Sequence, residues 1–161
     1  MGWRFLSSST GQDFRLLENL SSNEGKVLAA SYQTITLESD LVSIQNAVHF
    51  MDQFIGRLDR RTRLEFKAAL ALVEHSPLLF HGYFGRFTSL DNVRRKSCLE
   101  GWQNGASWRR PVFGALKDFC YLYYYTRTEN WAKLGYAGPM VPVGAVNPSL
   151  ESRYQGLGAS S

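Results

Sequence analysis

Leu41, Ile44, Val48, Met51, Ile55 and Leu58 recur in alternating steps of three and four, and that spacing commits the middle of the chain to an amphipathic helix. A half-buried strand would need apolar residues at every second position, and no stretch of this sequence alternates cleanly. Ser39 or Asp40 stands ready as the N-cap. The same reasoning, carried along the chain, gives about five helices and an all-α fold class.

Before this helix, Ser21 and Glu24 stand at capping-box spacing, and Leu28, Tyr32 and Ile35 follow as an apolar stripe weakened by Gly25. After it, Asp59 caps a third helix carrying Phe66, Ala69, Leu70 and Val73. There, Ala68, Ala71 and Leu72 leave little polar face, so this helix is expected to be central, buried and finished near Pro77. A fourth helix starts from Thr88 or Ser89, turns Leu90, Val93, Leu99 and Trp102 inward and stops at Gly105. Val112, Leu116, Phe119, Cys120 and Tyr123 mark a fifth.

From Thr126 onward the period is lost, and the glycines and prolines between residues 135 and 148 predict no regular element. At 161 residues the chain has room for one domain. The expected organisation is a loosely ordered segment over 1–20, a single-domain helical bundle over 21–125, an irregular C-terminal arm rich in aromatics, Gly and Pro over 126–142, and a tail over 143–161.

The net charge of +4 comes from short clusters such as RLDRRTR and VRRK, which read as solvated helix faces. No helix-turn-helix or RNA-binding signature accompanies them, so nucleic acid is not the expected partner. No run of apolar residues is long enough to span a membrane, and no signal-peptide core opens the chain; the expectation is a cytoplasmic protein. Cys98 and Cys120 are the only cysteines and read as reduced core thiols unless the fold brings their Cα atoms within about 7 Å.

Chemistry is sparse. His49, His75 and His81 are the only histidines, and none lies in a HExxH, GxSxG, GxGxxG or P-loop context. Glu65 and Glu74 are roughly 13 Å apart along a helix axis, too far to share a proton. The expectation is a chain that is not itself an enzyme, with no catalytic, cofactor-binding or metal-binding residue of its own.

What remains conspicuous is the arm, where Trp131 and Tyr136 supply rigid rings and Gly135, Gly138 and Pro139 turn the backbone. Either the rings fold back on the bundle, or they anchor another protein.

The block SWRRPVFGALKDFCYLYYYTRTENWAKLGYAGP resembles the gluconate 2-dehydrogenase subunit 3 family, as do LSSNEGKVLAASYQTI and FGRFTSLDNVRRKSCLEGW in the same order, over residues 20–142. The residues that carry the likeness are Arg109 or Arg110, Phe113, Leu116, Tyr124, Tyr125, Trp131, Leu134, Gly135, Tyr136, Gly138 and Pro139. The resemblance implies a non-catalytic small subunit that binds and stabilises, or helps mature, an FAD-dependent oxidoreductase of the glucose-methanol-choline type. FAD would then sit in the partner, a cytochrome subunit could accept electrons, and the complex could be exported together. Partner contacts would fall on Arg110, Trp131, Tyr136, Gly138 and Pro139. The alternatives are a stand-alone helical enzyme with a site among Glu74, His75 and His81, and a weakly basic protein that binds nucleic acid or a membrane surface.

Overall fold

The computed structural model describes Phe14, residues 16–133, Gly135 and Tyr136. Every regular element among them is helical: α1 (Ser22–Thr36), α2 (Leu41–Gly56), α3 (Arg60–Phe80), α4 (Asn92–Gln103), α5 (Arg109–Thr126) and α6 (Thr128–Lys133), with a 3₁₀ turn at Phe87–Ser89. The chain divides into one unit over 1–126 and a second over 127–161.

The central helix of the first unit is α1, which packs against α2, α3, α4, α5 and the 3₁₀ turn. Its capping box is complete: Ser21 N–H donates to Glu24 Oε2 at 2.7 Å, and Glu24 N–H donates to Ser21 Oγ at 3.3 Å. Val27, Leu28 and Tyr32 are buried. Gly25 is needed for close approach, since a Cβ there would meet Leu17 Cδ1 at 2.6 Å and Phe14 at 3.2 Å. The expected loose start therefore does not extend to its last residues. The buried Asp52 carboxylate on α2 accepts the amides of Glu18 at 2.9 Å, Asn19 at 3.0 Å and Leu20 at 2.8 Å, clipping this segment down.

Asp40 and Asp59 cap α2 and α3. On α2, Ile44, Val48, Met51 and Ile55 enter the core, where the aromatic surface of α5 meets them: Phe50 lies 5.3 Å from Tyr123 and Phe54 5.4 Å from Phe119.

Three expectations are corrected. First, α3 does not stop near Pro77; it runs to Phe80 with the proline inside. Pro77 lacks the N–H that would reach Val73 O, and the buried Ser76 hydroxyl donates to that carbonyl instead, at 2.8 Å. Second, α4 is capped by Asp91 rather than Thr88 or Ser89, and Val93 points outward, 79% exposed. Thr88 is held elsewhere: its N–H and hydroxyl both donate to Glu74 on α3, at 3.1 and 2.8 Å, and Arg95 fixes the same turn through Thr88 O at 2.6 Å. Third, the arm contains a regular element, the six-residue α6.

Candidate functional site

The largest departure from expectation lies in α3, which is peripheral rather than buried. Only Leu70, Val73, Ser76 and Pro77 are buried along its length, while Leu64 is 56%, Leu72 37%, Leu78 58% and Leu79 58% exposed. Ala68, Ala71 and His75 are exposed with them. At about 100° per residue, Leu64, Ala68, Ala71, His75 and Leu78 form one outward stripe at heptad spacing.

Three charged residues of α3, Arg63, Lys67 and Glu74, meanwhile bond to the protein's own body. Arg63 Nη2 donates to Gly56 O at 3.0 Å and Leu58 O at 3.1 Å, satisfying carbonyls at the end of α2. Lys67 meets Glu24 of α1 at 3.5 Å, and Glu74 is taken by Thr88. Arg61 and Glu65 pair with each other at 2.8 Å at the start of the helix. Arg63, Lys67 and Glu74 thus help hold the helix in place, Arg60, Arg61 and Glu65 stay exposed at its start, and beyond them leucines face outward.

Beside this stripe, α3 and α5 are tied by ring contacts, Phe66 to Phe119 at 4.9 Å and Phe80 to Trp108, the residue just before α5, at 5.9 Å. Along these ties runs an apolar groove of about 320 Å³, lined by Phe66, Ala69, Leu70 and Val73 on one wall and Pro111, Val112, Ala115 and Leu116 on the other; Thr62 and Glu65 complete it. Alanine on both walls keeps the groove open. That volume suits a few inserted side chains or a small apolar ligand.

Past Phe80, α3 ends in a cationic aromatic knot. Arg109 lies 4.0 Å over the Phe80 ring, Trp102 and Trp108 stand edge-on at 5.9 Å, and the His81 ring stacks on Tyr83 at 6.2 Å. Burial, and secondarily the Arg109 charge, holds the His81 imidazole below the usual histidine range, while the Cys98 backbone works the other way.

Of the residues expected from sequence to meet a partner, Arg110 belongs to the first unit and Trp131 and Tyr136 to the second. Arg110 is exposed at the start of α5 and its Nε reaches back to Gly105 O at 3.4 Å; along α5 it falls about 100° from Pro111, on the side away from the groove. In the second unit, Trp131 and Tyr136 pack edge-on against each other at 5.3 Å. Gly138 and Pro139 lie outside the described residues. Of the alternative enzyme site, Glu74 is occupied by Thr88, His75 is exposed and His81 sits over Gly101, so each has its own surroundings. From sequence α3, Leu72 included, was expected to be buried; its apolar residues were legible and their outward placement was not.

Among the described residues, no helix is long and apolar enough to cross a membrane. No protein-family model, no curated protein and no solved structure matches this chain.

Proposed function

We propose that this chain is a non-catalytic helical subunit that binds and stabilises an FAD-dependent oxidoreductase of the glucose-methanol-choline type. The observation that carries the binding part is the outward apolar stripe of α3, with Leu64, Leu72, Leu78 and Leu79 exposed. A contiguous apolar stripe on a helix is normally buried, and among the described residues this one has no cover. The identity of the partner rests on the resemblance over residues 20–142, and FAD belongs to that partner. A stable interface takes about 800 Å² from each side, and the stripe with the adjoining groove supplies its apolar centre. Binding the folded flavoprotein and not its unfolded form stabilises it by mass action.

The test is co-purification of the tagged chain from its host, with flavin absorbance read between about 350 and 500 nm. The expected eluate is yellow and holds one large flavoprotein in fixed ratio. Leu72→Glu with Leu79→Glu removes the flavoprotein while circular dichroism stays unchanged, because both side chains are exposed. Trp131→Ala with Tyr136→Ala measures the arm's share separately. A colourless eluate from the unaltered chain sinks the flavoprotein reading; retention by the α3 variant moves the contact elsewhere.

A further inference from the structure

His81 closes α3 as its C-cap, donating its backbone N–H to Pro77 O at 3.2 Å. Its ring rests on α4 at a place left open by a missing side chain: a Cβ on Gly101 would come within 2.1 Å of His81 Cε1. Nε2 is buried without a hydrogen-bond partner. The imidazole thus occupies a slot shaped for it and suited to its uncharged form.

The positive charges around this slot oppose a proton, and the carboxylates near it are engaged elsewhere. From α5, the Arg109 guanidinium lies 4.0 Å over the ring of Phe80, the residue before His81, and its charge disfavours the protonated imidazole. From α4, the Arg94 guanidinium lies 5.8 Å over Tyr83, the ring on which His81 stacks. The nearby carboxylates are committed: Asp91 to Arg94 at 3.6 Å, Glu100 to Lys96 at 3.9 Å, and Glu74 of α3 to Thr88. The thiol of Cys98, also on α4, stays protonated, and its backbone alone favours the charged ring.

We infer that His81 is a proton-operated latch: uncharged, it seals the junction of α3, α4 and α5; charged, it loosens that junction and the groove wall that begins at Pro111. A proton on His81 places a second cation beside Arg109, whose Nε is itself buried without a hydrogen-bond partner. The two repel in a poorly solvated place, and Arg109 is drawn off the Phe80 face. Pro111 and Val112 follow Arg109 by two and three residues on the same helix, so the groove wall moves with it. The sign is fixed by linkage: a base held below its ordinary value in the fold is protonated first in the open form, so acid favours opening. The inference is independent of the flavoprotein reading, because it concerns the isolated chain.

Nuclear magnetic resonance on the full chain tests it. The three histidine Cε1–H signals are assigned with His49→Gln, His75→Gln and His81→Gln, and pH is then lowered. His81 is expected to titrate below 6.5, and the indole N–H signals of Trp102 and Trp108 and the methyls of Val112 and Ala115 to shift with the same midpoint. Arg109→Gln moves that midpoint up toward 6.5, Arg109→Lys leaves it in place, and His81→Gln abolishes the shifts. Titration at or above 6.5, methyls unmoved through the His81 transition, or shifts that survive in His81→Gln overturn the latch. Should His81→Gln fail to fold, the Arg109→Gln midpoint decides, and one that does not rise overturns it.

Discussion

The amide of Tyr136 donates to the carbonyl of Trp131 at 2.9 Å while its ring stands edge-on to the indole at 5.3 Å. Between them Gly135 takes φ +66° and donates to Ala132 O at 3.2 Å. Together these bonds form a Schellman motif with its accompanying apolar contact, which stops α6. The W..LGY pattern is therefore first a helix terminator.

Gly135→Ala forces a Cβ into the left-handed region at a cost of about 1 kcal/mol, close to fivefold in local opening. Amide hydrogen exchange at Tyr136 is expected to quicken by roughly that factor. Unchanged exchange would mean that the stop does not depend on the glycine.

Ser76 and Pro77 form a coupled pair. Ser76→Ala leaves Val73 O without its buried donor and is expected to cost about 1–2 kcal/mol, a fall in Tm of roughly 2–8 °C. Adding Pro77→Ala restores a backbone N–H to the same carbonyl, so the double variant recovers most of the loss. Thermal melts of the four proteins in the cycle decide; strict additivity would break the pairing.

Asp52→Asn keeps the shape and an oxygen for the N–H groups of Asn19 and Leu20, but turns its amide donor toward the N–H of Glu18 and removes the negative charge all three share. The loss is expected at about 2–4 kcal/mol by urea titration, with the earliest exchange at residues 18–20. A change under about 0.5 kcal/mol would show that the clip adds nothing to stability.

Both thiols are buried, and burial pushes the Cys98 thiol up to about 11 and raises Cys120 as well. Alkylation of Cys98 in the folded protein is expected to stay slow at pH 8 and to rise about tenfold per pH unit toward 11. An acid raised in the fold is deprotonated first in the unfolded chain, so stability falls as pH climbs from the ordinary 9.0 to about 11. Rapid labelling at pH 8 under native conditions would contradict this burial.

Features that depend on neighbours in sequence were legible. The Ser21–Glu24 box, the Asp59 cap and the Ile44–Val48–Met51–Ile55 stripe are determined within a few residues of themselves, and all are present. The start of α4 was not legible, because Thr88 is claimed by Glu74 fourteen residues upstream and Val93 is carried outward with the shifted cap. At six residues, α6 is too short for a period to register. Apolar periodicity reports which faces of α3 avoid water without reporting what covers them, so its leucines were read as core. His81 meets Gly101 only through the fold.

Outward leucines on α3 also bear on how many copies of this chain a cell can keep. Proteases and chaperones sort proteins by exposed apolar surface, so a copy left uncovered resembles an unfinished one. Its lifetime, and with it its abundance, would follow the supply of whatever covers that helix.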